Sequence, residues 1–301
     1  MSKITVLWDI MLDKFSYWSV KKLNPESPAP LLNIEKEEYK LWWAANVAAN
    51  VSALDERSEL IGVLWKDINA TIFEELCKES NIKLEKITSS SPTITKQRFI
   101  ETSYQQQLIR ADYESKISLS ASDEEIILDH IKKEKPEYLI ISDYLKGTIS
   151  ENLVSQLKKQ IEHIFVDTKP QNIELFKDVF LIKPNFKEFC QIINQEIKNT
   201  NENIEHYGKI FTKKHRTNLV VTRWSQWASL ITKEWKVIHV PTEAKQVFDV
   251  TGAWDTFLAA ITVALKKWKT LEEAVILGNK ASGIVVGKVG TAVVNKEDLT
   301  I

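Results

Sequence analysis

The residues with the clearest chemical potential lie in a turn of small side chains that leads directly into an apolar helix. Residues 248–257 read FDVTGAWDTF, and LAAITVAL follows them. A helix amino terminus presents N–H groups and a partial positive charge, so the backbone of Gly252, Ala253 and Trp254 is expected to bind an anion such as a phosphate. Beside that phosphate, Asp255 would be a general base for an attacking hydroxyl. On spacing alone, a favourable first-turn carboxylate is an equally good interpretation.

Short β-rich runs alternate with longer amphipathic runs along the chain, which is typical of a mostly parallel sheet with helices on both faces. The predicted strands are Ile4–Leu7, Glu59–Leu64, Tyr138–Ser142, Ile164–Asp167, Val179–Ile182, Leu219–Thr222 and Ala228–Thr232. The predicted helices are Ala44–Leu54, Ile68–Glu79, Asp123–Lys133, Asn152–Ile161, Phe186–Ile193, Ile204–Lys214, Ala253–Lys267 and Leu271–Val286. Ser122 and Glu125 have the spacing of a capping box for the third helix.

Two stretches, 14–39 and 88–116, break this alternation because they are β-rich and show no helical periodicity. We expect them to leave the main sheet and form a small lid over the carboxyl edge of its strands, where open α/β sheets bind ligands. No tandem repeat or low-complexity linker divides the chain. Residues 1–301 are therefore predicted to form one three-layer α/β/α domain with a β lid.

Composition and charge exclude several classes of function. The 301 residues carry a formal net charge of −1, which gives no basic field for a nucleic acid or an anionic membrane. No apolar run approaches the length of a membrane span, and acidic residues interrupt the amino terminus where a signal peptide is apolar. Cys77 and Cys190 lack CxxC or metal-ligand spacing and are expected to be reduced thiols. These features favour a cytoplasmic protein that acts on small molecules.

The helix-opening segment, DVTGA-x-DTFLAAI, resembles the carboxyl-terminal signature of the ribokinase-like, phosphofructokinase-B family of carbohydrate kinases, whose core reads D-x-T-G-A-G-D. Residues 42–46, WWAAN, resemble that family's amino-terminal signature, G-G-A-x-N, except at the two glycines. The resemblance implies a ribokinase-like fold and transfer of the ATP γ-phosphate to a sugar hydroxyl. It also implies that Asp255 is the general base and that lid strands hold a homodimer together.

More specific stretches resemble one branch of the family, the D-glycero-β-D-manno-heptose 7-phosphate kinases. These stretches are LWDIMLD at 7–13, PTITKQR at 92–98, QQLIR at 106–110, SDYLKG at 142–147, PNFKE at 184–188 and VGKVGT at 286–291. The branch implies phosphorylation of O1 of the heptose 7-phosphate, in ADP-heptose biosynthesis. A kinase of the same fold for another sugar or sugar phosphate is the alternative, because lid residues rather than the core decide specificity.

The resemblance also assigns a sugar site. Sugar hydroxyls are expected at residues with carboxylate or amide acceptors, namely Asp9, Asp13, Asn46 and Asp143. The phosphate of the sugar is expected at three cations of the lid, Lys96, Arg98 and Arg110, because arginine binds phosphate bidentately. Strand alternation would direct Lys96 and Arg98 to the same face. A solvated edge strand protected by charge is the other interpretation of these cations.

The nucleotide and cation sites follow from the same resemblance. ATP is expected at Thr222, Arg223, Trp224, Thr251 and Asn279. Asn185 and Glu188 match the family's N-x-x-E, which orders Mg²⁺ through water, and their spacing places both on one helical face. An ordinary solvated helix carboxylate is the alternative for Glu188. Asp249 corresponds to a residue that helps to hold a monovalent cation such as K⁺ in the family.

Tryptophan and glycine occur in unusual proportion. The chain has 10 Trp and 8 Gly, where an average chain of this length has about 21 Gly. Eight tryptophans fall where the family or its branch has glycine: Trp8, Trp18, Trp42, Trp43, Trp65, Trp224, Trp227 and Trp254. Trp235 lies in a predicted tight hairpin and Trp268 at a predicted helix C-cap, where positive φ favours glycine. An indole at position 254 would crowd the γ-phosphate.

We hypothesise that these ten codons are UGA and that the source cell translates them as glycine. Only five of the 40 basic residues are arginines, which fits an AT-rich genome: Arg57, Arg98, Arg110, Arg216 and Arg223. If the ten residues are tryptophan, we expect a protein that folds poorly or cannot place ATP. In that case Trp254 would favour a non-catalytic nucleotide- or sugar-binding homologue.

Overall fold

The computed structural model describes residues 3–54, 56–88, 90–224, 228–241, 252–287 and 292–299. Its strands are β1 (Ile4–Trp8), β2 (Ile10–Leu23), β3 (Pro30–Trp43), β4 (Ser58–Leu64), β5 (Ile82–Thr88), β6 (Thr95–Glu101), β7 (Gln106–Tyr113), β8 (Tyr138–Ser142), β9 (His163–Asp167), β10 (Leu181–Ile182), β11 (Asn218–Thr222), β12 (Ala228–Ile231) and β13 (Val237–Val240). Its helices are α1 (Ala44–Ala53), α2 (Ile68–Glu79), α3 (Ala121–Glu134), α4 (Glu151–Gln160), α5 (Phe186–Ile192), α6 (Asn201–His215), α7 (Ala253–Lys266), α8 (Leu271–Val285) and α9 (Lys296–Leu299), with a 3₁₀ helix at Pro170–Phe176.

The main sheet contains nine strands in the order β13-β12-β11-β10-β9-β8-β1-β4-β5. Neighbouring strands are parallel except at β12, which runs antiparallel to β11 and β13. In the buried centre, Val6 of β1 lies opposite Leu60 and Ile140. Such strands are apolar throughout because helices cover both faces of the sheet.

Helices form a layer on each face of this sheet. On one face α1, α2, α7 and α8 enclose an apolar core that includes Phe73 and Phe257. On the other face α3, α4, α5 and α6 enclose a second core that includes Phe176 and Phe189. The predicted three-layer α/β/α architecture with a mostly parallel sheet is therefore confirmed.

A second, four-stranded sheet has the order β3-β2-β6-β7. Its strands overlap the segments 14–39 and 88–116, although β2 begins four residues before the first segment and β3 ends four residues after it. Asp9 alone separates β1 from β2, and its carbonyl accepts a hydrogen bond from the Ala44 N–H, where β3 ends and α1 begins. Both connections between the first lid hairpin and the main sheet therefore meet at Asp9.

Two local predictions need correction. The predicted capping box at Ser122 and Glu125 is wrong, because Ser120 caps α3 and Asp123 completes the box by accepting from the Ser120 N–H. The edge strand β5 was not among the predicted strands, because charged residues interrupt its apolar pattern. No helix within the described ranges is long and apolar enough to cross a membrane. Cys77 and Cys190 are both free thiols.

Candidate active site

Asp255 lies in the first turn of α7, at the carboxyl edge of the main sheet. Gly252 is the N-cap residue of this helix, and its φ of 76° lies in the left-handed region. It has no side chain that could accept a hydrogen bond from the first N–H groups of the helix. The Asp255 carboxylate is buried, and its Oδ2 accepts a hydrogen bond of 2.9 Å from Asn46 Nδ2 in α1. Asn46 and Asp255, 209 residues apart in the two sequence motifs, therefore meet through one hydrogen bond.

The electrostatic environment of Asp255 suits a proton acceptor. Burial raises its pKa to about 7, which outweighs the opposing hydrogen bond from Asn46. The negative charge of Asp167 raises this pKa further, whereas Lys183 and Lys169 lower it. A carboxylate with a pKa near 7 can both accept and release a proton at neutral pH.

Four residues beside Asp255 were not among the predicted site residues. Tyr144 follows β8, Asp167 ends β9, Lys169 follows two residues later, and Lys183 comes directly after β10. Lys183 Nζ lies 2.9 Å from Asp167 Oδ2, and Lys169 Nζ lies 4.8 Å from the centre of the Tyr144 ring. Burial and the nearby carboxylates, Asp255 first, raise the pKa of Tyr144. Their position just past the carboxyl ends of predicted parallel strands is the signal that could have identified them.

Asp9 holds a loop. Its Oδ2 accepts hydrogen bonds from the backbone N–H groups of Tyr144 (2.6 Å) and Lys146 (3.2 Å), and its Oδ1 accepts from Thr148 Oγ1 (2.7 Å). Gly147 in this loop has φ 89°, and a Cβ there would lie 2.1 Å from the Ile117 carbonyl oxygen. Burial raises the pKa of Asp9 to about 6, against the lowering effect of these hydrogen bonds. Sugar binding by Asp9 stays a prediction.

Asp143 is similarly engaged with neighbouring loops. Its Oδ2 accepts hydrogen bonds from Thr168 Oγ1 (2.6 Å) and Asn172 Nδ2 (2.8 Å), and its Oδ1 accepts from the Leu145 N–H (2.9 Å). The carboxylate is buried. These contacts position the loops after β8 and β9, and sugar binding by Asp143 also stays a prediction.

The lid strand β6 carries two of the predicted phosphate-binding residues, Lys96 and Arg98. Lys96 of the lid and Lys146 of the loop after β8 lie against the same Trp43 ring, and the region between the lid and that loop is called the cleft. Arg98 Nε lies 2.8 Å from Oδ1 of the buried Asp13, whereas Asp13 Oδ2 has no hydrogen-bond partner among the described residues. Burial raises the pKa of Asp13, and the Arg98 charge opposes this. Arg110 pairs with Arg98 across the strands but is exposed and bound to Asp112 at 2.8 Å. Arg98 and Asp13 therefore lie at the cleft, while Arg110 lies at its margin.

The indole rings of Trp42 and Trp43 lie next to three cationic side chains at this cleft. The Trp43 ring stacks on Tyr144 with 4.4 Å between ring centres. Lys96 Nζ lies 4.9 Å and Lys146 Nζ 5.4 Å from the centre of the Trp43 ring, while Arg98 Cζ lies 4.5 Å from that of Trp42. Each of these three cations therefore lies against an indole ring. Lys96, Arg98 and Lys146 are called the cleft cation cluster below.

The predicted magnesium residues form the capping box of α5. Asn185 Oδ1 accepts from the Glu188 N–H at 2.9 Å, and Glu188 Oε2 accepts from the Asn185 N–H at 3.0 Å. The other oxygen, Glu188 Oε1, lies 2.6 Å from Lys169 Nζ. Each carboxylate oxygen keeps a further lone pair, so the pair fits a Mg²⁺ ion bound through water better than direct coordination.

The predicted ATP residues differ in their surroundings. Thr222 Oγ1 and Asn279 Oδ1 are buried and have no hydrogen-bond partner among the described residues. The Arg223 guanidinium is buried and donates to Asn199 Oδ1 at 2.7 Å and to Asn201 Oδ1 at 2.6 Å, at the start of α6. Trp224 is exposed. Two further predicted residues, Thr251 and Asp249, lie outside the described residues.

Comparison with known proteins identifies the family. Residues 43–298 match the pfkB family carbohydrate kinases. The chain belongs to this family. It is 32% identical over 301 residues to the bifunctional protein HldE of Vibrio vulnificus and 34% identical over 303 residues to that of Pasteurella multocida. These matches cover 98% and 99% of the chain but 62% and 63% of the relatives, so the chain spans about three fifths of their length.

Two solved kinase structures have the same fold. Phosphofructokinase-2 from Escherichia coli, in complex with potassium, has a TM-score of 0.84 at 18% identity, covering 100% of this chain and 97% of its own. Arabidopsis thaliana ribokinase, complexed with ribose and ATP, has a TM-score of 0.76 at 18% identity, covering 99% and 97%. The predicted ribokinase-like fold is confirmed, and the family match identifies the chain as a carbohydrate kinase.

The backbone of the kinase is unusual at its tryptophans. Five of the nine tryptophans within the described residues have positive φ: Trp8 (115°), Trp43 (55°), Trp224 (54°), Trp235 (68°) and Trp268 (63°). The indole N–H groups of Trp8 and Trp18 are buried with no hydrogen-bond partner among the described residues. Trp254 lies in the first turn of α7, with its ring against Phe257, and Trp227 lies outside the described residues. Glycine adopts positive φ without strain, so this geometry favours glycine at five of the positions.

Proposed function

We propose that this kinase transfers the γ-phosphate of Mg·ATP to O1 of D-glycero-β-D-manno-heptose 7-phosphate. The observation that carries the substrate class is the cleft cation cluster, which lies between the lid and the main sheet. A neutral sugar needs acceptors for its hydroxyl groups, whereas a sugar phosphate also needs cations for its anionic end. The resemblance to the heptose 7-phosphate kinases and the identity to HldE support the choice of this sugar phosphate.

The proposed chemistry is direct phosphoryl transfer. Asp255 takes the proton of the O1 hydroxyl while O1 forms a bond to the γ-phosphorus and the bond from that phosphorus to the oxygen of ADP breaks. The backbone N–H groups at the start of α7 stabilise negative charge on the transferred group. Mg²⁺, held through water by Asn185 and Glu188, would neutralise charge on the phosphates.

Substitutions in the cation cluster test the substrate class. Arg98→Gln and Lys96→Gln are expected to raise KM for heptose 7-phosphate by about tenfold to a hundredfold each, because each removes a charge-assisted bond to the phosphate. KM for ATP should change little. The matched control is Lys36→Gln, an exposed lid lysine that contacts Glu38. Equal turnover of the sugar with and without its 7-phosphate would contradict the proposal.

We also propose that the cell places glycine at the ten tryptophan positions. Glycine at 42 and 43 would remove the two indoles that contact the cation cluster, and glycine at the five positive-φ positions would remove strain of about 1 kcal/mol or more each. If tryptophan is present instead, Trp254 in the first turn of α7 would crowd the γ-phosphate, which favours a nucleotide- or sugar-binding homologue without kinase activity. The coding DNA decides between the two, since UGG codons would refute the glycine proposal.

A stability measurement tests the same proposal in the protein. Trp268→Gly should raise the free energy of unfolding by about 1 kcal/mol, because Trp268 has φ 63° and an exposure of 93%, so little packing is lost. Trp65→Gly is the matched control, since Trp65 is also exposed but does not have positive φ. Equal effects of the two substitutions would show that φ is not the cause.

The lid supports a proposed homodimer. Its edge strands β3 and β7 have no neighbour on one side within the sheet, and it exposes the apolar residues Leu23, Leu31, Leu108 and Ile109. Edge strands with exposed apolar side chains tend to pair with another chain. Light scattering should give the mass of two chains, and Ile109→Lys should shift the mass towards one chain.

Two free thiols and a requirement for ATP support a cytoplasmic location.

A further inference from the structure

Asn50 is a buried polar residue that the proposed reaction does not use directly. It lies one turn after Asn46 in α1, in the sequence AANVAANVSA, and its side chain is fully buried. An amide among alanines and valines destabilises a fold unless its hydrogen-bonding groups find partners. Asn50 has such partners, and they connect it to the catalytic carboxylate.

Both the nitrogen and the oxygen of the Asn50 side-chain amide form hydrogen bonds. Nδ2 donates to the Asn46 carbonyl oxygen at 2.9 Å and to Asn46 Oδ1 at 3.3 Å. Oδ1 accepts from Thr256 Oγ1 at 3.0 Å and from the Val294 N–H at 3.4 Å. Asn50 therefore joins α1, the residue next to Asp255 in α7, and the segment that precedes α9.

These contacts determine which end of the Asn46 amide faces Asp255. An asparagine amide has a donor end and an acceptor end. Because Asn50 donates to Asn46 Oδ1, the Nδ2 of Asn46 points to Asp255 Oδ2, at 2.9 Å. If the amide rotated by half a turn, its oxygen would face the carboxylate and repel it.

We propose that Asn50 is a positioning residue that fixes the orientation of the Asn46 amide and so keeps a hydrogen-bond donor on the catalytic carboxylate of Asp255. The inference deepens the proposed function and rests on Asp255 being the general base. Thr256 and Val294 anchor Asn50 itself, so the carboxyl-terminal segment helps to hold the base in place.

Other charged groups also act on Asp255. Asp167 at the end of β9 raises its pKa, Lys183 after β10 and Lys169 lower it, and the Tyr144 hydroxyl after β8 interacts with it. None of these side chains has a hydrogen bond to Asn50 among the described contacts. A substitution at Asn50 should therefore change the amide contact and leave these groups in place.

The kinetic test is Asn50→Ala. Loss of the oriented donor should raise the pH at which kcat is half-maximal by about one unit, so that kcat falls about tenfold at pH 6.5 and about twofold or less at pH 8.5. A merely structural defect would lower kcat equally at both pH values. The matched control is Asn218→Ala, which removes a buried amide bound to the backbone of Phe180 and Lys233. Asn218 is the first residue of β11 and so lies at the edge of the sheet opposite the carboxyl edge where Asp255 lies. The pH midpoint of this control should not move.

An unfolding measurement tests the coupling without any substrate. The difference in unfolding free energy between the parent and Asp255→Asn levels off at the pKa of Asp255 in the folded protein. Adding Asn50→Ala to both proteins should raise this pH by about one unit, and no shift would overturn the inference. If Asn50→Ala does not fold, Asn50→Leu keeps a similar side-chain size and has neither the donor nor a charge, and the same upward shift is expected.

The two measurements separate the failure of this inference from that of the proposed function. If the kinase is active on heptose 7-phosphate but neither pH shift occurs, Asn50 is not a positioning residue. If the unfolding shift occurs but no sugar phosphate is turned over, the coupling stands and the proposed function is wrong.

Discussion

Asp9 and Asp255 are buried aspartates at the same edge of the sheet, and their carboxylates are bonded very differently. Asp9 accepts three hydrogen bonds from the loop of residues 144–148, with both oxygens engaged. Among the described residues, Asp255 accepts one hydrogen bond, from Asn46 Nδ2 to its Oδ2. Burial raises the pKa of both, to about 6 for Asp9 and about 7 for Asp255.

The difference separates a carboxylate that holds structure from one that is available for chemistry. Burial alone marks both residues as unusual, so a raised pKa does not distinguish them. The number and source of the hydrogen bonds do, because a carboxylate whose lone pairs are occupied by a loop has less capacity to accept a proton from a substrate. The comparison therefore predicts that Asp255 controls kcat and that Asp9 controls stability.

The largest expected effect is the loss of kcat in Asp255→Asn. Asparagine keeps the shape and can still accept from Asn46, but it cannot take the proton of O1. We expect kcat with Mg·ATP and heptose 7-phosphate to fall by about a thousandfold or more. At pH 8 the variant should be more stable than the parent, because it removes a buried charge.

The control for this prediction is the fold of the variant. Circular dichroism and thermal unfolding should show an intact protein, so that the loss of kcat cannot come from unfolding. A kcat within tenfold of the parent would exclude Asp255 as the base.

The second prediction concerns Asp9→Ala. The substitution leaves two backbone N–H groups and the Thr148 hydroxyl without their acceptor, at a buried site. We expect the free energy of unfolding, measured with urea, to fall by about 3 kcal/mol. Asp255→Asn should move stability in the opposite direction at pH 8. If Asp9→Ala is as stable as the parent, the loop does not depend on this carboxylate.

This contrast also shows what could be predicted from the sequence. The fold followed from alternating β-rich and amphipathic runs, and the buried strands were found because covered parallel strands are apolar throughout. The strand β5 was missed because it is an edge strand whose Lys83, Glu85 and Lys86 hide the apolar pattern. Edge strands that face solvent lack the signal that identifies central ones.

The candidate site was predictable only in part. Asp255 is a candidate from the sequence because its turn, its spacing and its helix are adjacent in the chain. The loop-holding contacts of Asp9 join residues more than 130 positions apart, and no local pattern predicts which side chain meets which N–H. Lys183 and Lys169 were missed for the same reason, since their roles depend on strands that become neighbours only in the folded sheet.

The third prediction is the pH dependence of the parent kinase. Asp255 must be ionised to accept a proton, so kcat should fall about tenfold per pH unit below about 7 and level off above it. The stability effect has the opposite sign: because the folded pKa is raised above the usual value of 3.8, the parent loses stability relative to Asp255→Asn as pH rises from about 4 to about 7. A flat kcat profile between pH 5.5 and 8 would contradict this assignment.

The smallest expected effect distinguishes the two carboxylates through one hydrogen bond. Thr148→Val keeps the shape of the side chain and removes only its hydroxyl, which donates to Asp9 Oδ1 at 2.7 Å. The free energy of unfolding should fall by about 1 kcal/mol, and the pKa of Asp9 should rise because a bond that favours its charged form is lost. The pH midpoint of kcat should stay that of Asp255, since Thr148 has no contact with that carboxylate among the described hydrogen bonds. A shifted midpoint would mean that Asp9, rather than Asp255, titrates in the reaction.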